Sequence, residues 1–233
     1  MAFGLPMGLG LIIIAGAELL TANSCYLSAA VFEGKAKPLH MVYHMFFCFW
    51  GNLAGSLILV GLVYGTQLFH AEPAITTAAV YTVEYVEIKC TAGFGHVVAR
   101  AFLCNWLVCL ACYQATAAQD VLGKLAAIFF PVMAFVAVGY DHAVANMFII
   151  PFGMMLGAPV TVGHYIVYSL IPTMIGNMTA SIVMISFTYS MCYGTLPARI
   201  QKHVPLFAKV FGPVSQGASH ESNMRDDSAH NRI

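Results

Sequence analysis

Two copies of one polar pattern lie inside long apolar stretches of the sequence. Residues 16–23 read GAELLTAN, and residues 139–146 read GYDHAVAN. Each copy has a glycine, an acid two residues later and an Ala-Asn step, and each is followed at a similar distance by a Gly-Asn step, at 51–52 and 176–177. Acids and amides inside an apolar helix are costly and mark function. Paired interruptions in two halves of a chain indicate an inverted-repeat transporter or channel with its site at the midplane of the bilayer.

The residues of the two copies are suited to binding a small anion. A helix that is broken at mid-membrane exposes N–H groups and a positive dipole end. Thr21 offers a hydroxyl, and His142 can donate to the anion or pass it a proton. The plainer alternatives are a buried, satisfied His142 and an Asp141 that caps loop amides, and for Asp141 we favour the capping role over direct contact with the ion. Glu18 is the corresponding acid of the first copy.

Composition assigns the chain to the polytopic membrane proteins. Of its 233 residues, 60% are hydrophobic and only 9% are charged, whereas a soluble domain has about a quarter charged. The formal net charge is zero, which gives no case for nucleic-acid binding. The predicted fold is therefore an all-α, inverted-repeat helical bundle with two broken transmembrane helices.

The apolar stretches predict where the chain crosses the membrane. Spans are expected at residues 5–32, broken at 18–23, and at 40–67, 93–118, 121–156, broken at 139–146, and 166–193. Residues 69–89 are expected to be an outer linker. Basic residues beside alternate loops and after the last span place those loops and the C-terminus in the cytoplasm. Residues 1–198 are the expected channel domain, and 199–233 a disordered cytoplasmic tail.

The repeat predicts one further span. In the second half a full span, 93–118, precedes the broken helix, whereas only 15 residues precede Gly16 in the first half. We therefore expect the chain to be incomplete, either a fragment or a start at an internal methionine.

Four motifs give a specific resemblance over roughly residues 3–195. GAELLTAN at 16–23, NWLVCLA at 105–111, GYDHAVANM at 139–147 and IPTMIGN at 171–177 resemble the formate–nitrite transporter family. The resemblance implies a homopentameric, aquaporin-like channel in the lipid bilayer, with one pore per protomer and no cofactor. It implies transport of small monovalent anions: formate or nitrite first, and lactate or hydrosulfide in some members. The plasma membrane is the expected location.

The resemblance also assigns roles to individual residues. It implies that Leu19, Leu20 and Thr21 form the loop of the first broken helix and that His142 is the central pore histidine. It makes Lys89 the lysine of an outer vestibule, and it puts Leu5 and Phe135 where apolar side chains narrow the pore. Apolar gates would block a bare anion, so the coherent mechanism is attraction, protonation and passage as the neutral acid.

Two further groups of polar residues have open interpretations. Asparagines recur at the span centres, where each either bridges helices or lines the pore: Asn23, Asn52, Asn105, Asn146 and Asn177. Arg100 either extends its side chain to the surface or attracts anions together with Lys89.

Two other classes of function fit less well. An aquaporin-like pore for neutral solutes expects Asn-Pro-Ala at each loop, whereas Ser24 and Met147 follow the two asparagines. An intramembrane enzyme built on Asp141 and His142 would need a nucleophile or a metal cluster, and the sequence arranges neither. We therefore expect no metal site.

Overall fold

Apolar stretches form the helices of the computed structural model, which describes residues 4–70 and 73–204. Within those residues there are no strands. The helices are α1 Gly4–Ala15, α2 Leu20–Phe32, α3 Pro38–Gly65, α4 Pro73–Thr91, α5 Phe94–Ala117, α6 Val121–Val138, α7 Ala143–Met155, α8 Val162–Tyr193 and α9 Leu196–His203, with a 3₁₀ turn at Leu68–His70. Two π-helical stretches, Ile166–Leu170 and Ser181–Phe187, lie within α8.

The helices predicted from the apolar stretches are confirmed. Helices α3, α5, α6 and α8 are each long and apolar enough to cross a membrane. Helices α1 and α2 taken together are also apolar and long enough for one span, and they are bent by 49° where the sequence placed the first break. Helix α7 is a shorter apolar helix of 13 residues that continues α6 after the second break.

The two breaks have matching backbone geometry. A glycine in the left-handed region follows the preceding helix at each break, Gly16 with φ 69° and Gly139 with φ 81°. Only glycine adopts such a conformation without steric cost, so both positions require it. The next helix begins after an extended residue, Leu19 with φ −112° and ψ 120°, and His142 with φ −113° and ψ 123°. The repeat seen in the sequence is therefore also a repeat of structure.

Helix α5 is the centre of the packing. It lies against both α6 and α8, while α1 packs on α6, α3 on α7, and α2 on the second π-helical stretch of α8. Gly176 lets α5 and α8 approach backbone to backbone, because an added Cβ would lie 2.7 Å from the Cβ of Ala101 and nearer still to the Val98 carbonyl oxygen. Small residues at such crossings are how membrane helices pack closely.

The prediction of a linker at residues 69–89 is wrong, because most of these residues belong to helix α4. One face of this helix is buried, at spacings of four, three and one residues: Thr82, Val86, Lys89 and Cys90. The acid Glu84 is exposed on the opposite face. The exposed side also carries Val80, Tyr81 and Ile88, so burial of the other face, and not a polar outer side, holds the helix in place.

Helix α9 extends further than the predicted domain boundary. Residues 199–203, assigned to a disordered tail, are helical, and residues 205–233 lie outside the described part of the chain. The loop after α2 holds this helix. Glu33 accepts hydrogen bonds from the Thr195 amide at 2.8 Å and the Thr195 hydroxyl at 2.7 Å. Arg199 donates to the last carbonyls of α2, at Val31 and Phe32.

Glu33 should make this contact depend on pH. Burial works to raise the pKa of Glu33, but the hydrogen bonds from Thr195, aided by Ser190 and Lys35, outweigh it and hold the pKa below its ordinary value. The stabilisation is complete above the pKa of an unfolded glutamate, about 4.3, and is lost as pH falls through the lower pKa of the folded protein. Because Glu33 is near the surface, we expect it to contribute about 1 kcal/mol at most to the free energy of unfolding.

The measurement is the midpoint of thermal unfolding in detergent from neutral pH into the acid range. Glu33→Gln should show a smaller acid-induced fall than the wild type. Glu84→Gln removes an exposed acid of α4 and is the matched control. Identical acid profiles for the wild type and Glu33→Gln would contradict the assignment.

Candidate functional site

A hydrogen bond joins the two breaks at the centre of the bundle. The Thr21 hydroxyl oxygen, in the first turn of α2, lies 2.9 Å from Nε2 of His142, the residue just before α7. Thr21 is fully buried and His142 nearly so. Helices α2 and α7 both begin here, so their positive dipole ends meet beside the pair. An anion at this point would find a ring N–H donor, a hydroxyl and two helix N-termini.

The second ring nitrogen fixes the tautomer of His142. Nδ1 accepts a hydrogen bond from the Ala145 amide at 3.1 Å, which makes the imidazole the N-cap of α7. A nitrogen that accepts from an amide carries no proton, so the neutral ring bears its proton on Nε2 and donates it to Thr21. An imidazolium would need a proton on Nδ1 and would lose this cap. Protonation of His142 to the imidazolium therefore requires Nδ1 to give up its hydrogen bond to the Ala145 amide.

A cavity of about 480 Å³ reaches the pair between α1, α6 and α7. Its walls are almost entirely apolar, and Leu5, Leu19 and Phe135 are among them. The Phe135 ring stacks on the His142 ring with centroids 5.9 Å apart. His142 and Asn146 supply polar groups to this wall. The site is therefore a hydrophobic cavity with an imidazole ring on its wall.

One asparagine side chain holds each break by two hydrogen bonds to its backbone, and we call this pair of bonds a clasp. Asn52 of α3 accepts from the Leu20 amide and donates to the Glu18 carbonyl, both at 2.9 Å. Asn177 of α8 does the same in the second half, accepting from the Ala143 amide at 2.9 Å and donating to the Asp141 carbonyl at 3.1 Å. These amides satisfy backbone groups that the break leaves unpaired, which a membrane interior demands.

Asn105 connects the two clasped breaks. Its side-chain nitrogen donates to the Thr21 carbonyl at 3.3 Å and to the Asn177 carbonyl at 2.8 Å. It is fully buried in α5. Asn52, Asn105 and Asn177 thus bridge helices, whereas Asn146 both lines the cavity and bonds to Asp141 at 3.4 Å.

The acids of the two breaks have different surroundings. Asp141 is 1% exposed, and its carboxylate forms an ion pair with Lys89 at 2.8 Å. The same ammonium group donates to the Gly139 and Tyr140 carbonyls at 2.6 and 3.0 Å. Glu18 accepts from Asn23 but keeps 61% of its side chain exposed, with His44 at 3.8 Å. A lysine thus anchors the second break only.

The structure places Lys89 inside the bundle. The resemblance makes it the lysine of an outer vestibule, and its ammonium group is buried and bonded to the second break. The reason is helix α4, which carries Lys89 inward on its buried face. Arg100 is half-buried on α5 and is outside the lining of the cavity.

The structure brings half of the expected pore residues together around the cavity. The five that line it are Leu5, Leu19, Phe135, His142 and Asn146. Thr21 is one hydrogen bond behind the wall. Leu20 is 1% exposed and packs instead with Met147 and Val86 on the far side of the break.

Sequence reasoning missed several groups that surround the site. Tyr85, Tyr140 and Ser56 line the cavity. Ser169 receives a hydrogen bond from Asn146 at 3.3 Å. The sequence could have identified Tyr140 as a residue of the site, because it stands within the second copy of the repeated pattern. It gave no indication for Tyr85 once residues 69–89 were interpreted as a linker.

The two clasps should differ in strength. Asn177 is fully buried and makes bonds to Ala143, Asp141 and, at 2.7 Å, the Ala101 carbonyl, whereas the Asn52 contacts are partly exposed. Asn177→Leu should cost about 2–3 kcal/mol through unpaired buried groups, and Asn52→Leu about 1 kcal/mol. The check is thermal unfolding of both variants in the same detergent. Equal losses of stability would contradict the difference.

Known proteins similar to this chain are transporters and channels. The sequence model of the family described as "Formate/nitrite transporter" matches residues 1–191. A probable formate transporter of Methanothermobacter thermautotrophicus is 34% identical, over 81% of this chain and 72% of that protein. A formate channel of Bacillus thuringiensis is 32% identical, over 81% and 70%. The solved structure of a pentameric formate channel with formate bound superposes with a TM-score of 0.73 at 26% identity, over 82% of this chain and 81% of that one.

Proposed function

The chain belongs to the formate/nitrite transporter family, and we propose that it carries small monovalent weak-acid anions across a membrane, with formate first and nitrite second. Membership places it among transport proteins rather than enzymes, and the fold is that of a helical membrane channel. The observation that carries the proposal is the His142–Thr21 hydrogen bond at the junction of two broken helices, on the wall of an apolar cavity.

The anion would be held at the junction by groups of this chain. The N-termini of α2 and α7 favour negative charge there, and His142 donates through Nε2. The apolar walls, including Phe135 and Leu19, oppose passage of a bare charge because they offer no compensating group. A weak acid escapes this cost by crossing in its protonated form. Transport is then linked to protons.

The relay role of His142 follows from its two hydrogen bonds. A neutral imidazole is too weak an acid to protonate a carboxylate, so a proton transfer must go through the imidazolium. The imidazolium forms only when Nδ1 lets go of the Ala145 amide. We propose that the ring takes up a proton as it leaves α7, gives it to the anion, and then caps α7 again. Uptake should therefore rise as the pH falls.

Three further proposals concern the setting. The pentameric state of a structurally similar formate channel supports a homopentamer here. The loop at 33–37 and helix α9 carry an excess of basic residues, which supports a cytoplasmic position for that end and for the C-terminus. The plasma membrane is the proposed location, as the default for a protein of this kind.

Uptake by proteoliposomes tests the function. Vesicles containing the protein should accumulate labelled formate faster than empty vesicles, and more so with an inward proton gradient. Nitrite, lactate and hydrosulfide are compared under the same gradient to rank the anions. Osmotic shrinkage with a neutral solute tests the aquaporin-like alternative. Neutral-solute flux without anion uptake would overturn the proposal.

A further inference from the structure

One corner of the bundle combines two basic segments that are far apart in the sequence. The basic corner consists of Lys35 and Lys37, in the loop after α2, and Lys202 and His203, at the end of α9; all four are exposed. The two segments are tied together by the Glu33–Thr195 hydrogen bonds and by Arg199 on the end of α2. The four basic side chains therefore belong to one fixed surface.

The fit between these segments is close. Gly34 has φ 69°, and an added Cβ there would lie 2.5 Å from the Arg199 guanidinium carbon. Glycine is required on both counts, so the loop lies directly against α9. Such contacts hold the loop that carries Lys35 and Lys37 against the helix that carries Lys202.

The charge of the basic corner is not neutralised within these segments. Glu33 is the one acid in residues 33–40 and 194–204, and its carboxylate is turned inward to Thr195. Arg199 is directed to the carbonyls of Val31 and Phe32. Lys35, Lys37 and Lys202 are exposed, so their positive charge is open to a partner of negative charge.

The corner follows directly after the ends of two apolar helices, α2 at Phe32 and α8 at Tyr193. The end of a membrane-spanning helix is where lipid headgroups lie. The rings of Phe32 and Phe187 pack edge to face at 5.9 Å, and Tyr193 is 79% exposed. Exposed tyrosines of this kind mark the membrane–water interface. Leu196 of α9 is buried, whereas Lys202 and His203 at the end of the same helix are exposed.

We propose that the basic corner binds the headgroup phosphate of an anionic phospholipid. The observations that carry it are the unneutralised cations, their fixed position, and their level at the end of the membrane helices. A basic amphipathic segment beside a membrane span is the feature that anionic lipids recognise. The site is separate from the cavity and does not depend on which anion is transported.

Spin-labelled lipids test the proposal with the full chain in phosphatidylcholine vesicles. The association constant of phosphatidylglycerol is measured relative to that of phosphatidylcholine. We expect a clear preference for phosphatidylglycerol that falls about fivefold for each of Lys35→Gln, Lys37→Gln and Lys202→Gln. Lys124→Gln, which lies at the start of α6 on the same end of the bundle, should leave the preference unchanged.

Two further measurements keep the result independent of folding of the variants. The wild-type preference should disappear in 1 M salt, where the Debye length is about 3 Å. It should survive millimolar inorganic phosphate. No preference in the wild type would overturn the proposal, and so would an equal loss in Lys124→Gln. Loss of the preference in inorganic phosphate would show a site for free phosphate instead of lipid.

Discussion

Replacing His142 with phenylalanine is expected to lower formate uptake about 100-fold and to abolish its dependence on pH. The change keeps an aromatic ring against Phe135 but removes the donor to Thr21 and the cap on the Ala145 amide. It also removes the one imidazole among the described residues that line the cavity. The measurement is the initial rate of labelled formate uptake by proteoliposomes at several external pH values.

His142→Asn separates the two functions of the ring. Asparagine is a good N-cap and can accept from the amide three residues later, so α7 should keep its start. It cannot carry a proton at physiological pH, so the pH dependence should still be lost. If His142→Phe retains both the rate and the pH profile of the wild type, the relay is removed from the mechanism. If only His142→Asn retains them, the cap rather than the proton is what matters.

Replacing Lys89 with methionine is expected to destabilise the protein by about 3–5 kcal/mol, because it leaves the Asp141 carboxylate buried and unpaired. The carbonyls of Gly139 and Tyr140 would lose their donor as well. The double variant Lys89→Met/Asp141→Asn removes both charges and should recover a large part of the loss. Thermal unfolding in detergent, at low and high salt, measures both variants.

Salt distinguishes this role from an attraction of anions at a vestibule. An exposed cation acts through a field that salt screens over about 8 Å at physiological ionic strength, whereas a buried pair is screened much less. The loss caused by Lys89→Met should therefore persist at high salt. Arg100→Met, on the half-buried side of α5, should cost far less. A Lys89→Met variant as stable as the wild type would rule out the anchor.

The broken spans were predictable because they depend on local properties. Apolar length identifies a membrane crossing, and the glycine of each pattern marks the point where the backbone turns left-handed. The role of His142 as a polar residue of the cavity was also predictable, since it stands in a repeated pattern. Leu5 and Phe135 came from the resemblance to a family, and the structure gives them a common wall.

The ion pair of Lys89 with Asp141 was not predictable in the same way. It depends on the inward path of α4, and the charged residues and threonines of residues 73–91 favoured a loop. A short helix with one buried face carries a weaker signal than a membrane span, because these residues lower its mean hydropathy. The hydrogen bonds from Asn52 and Asn177 to the backbone of the two breaks likewise depend on how the helices cross. The spacing of residues along the sequence does not determine that crossing.

Because the two breaks are equivalent, corresponding positions of the two halves of this chain can be compared with each other. Positions at which the halves agree, such as Gly16 with Gly139 and Asn52 with Asn177, maintain the backbone. The position at which they differ most in chemistry is Leu19 against His142, where nearly identical backbone angles hold a hydrocarbon in one half and an imidazole in the other. After a duplication, a scaffold of this kind can keep its architecture in both copies while a single substitution gives one copy a new chemical role.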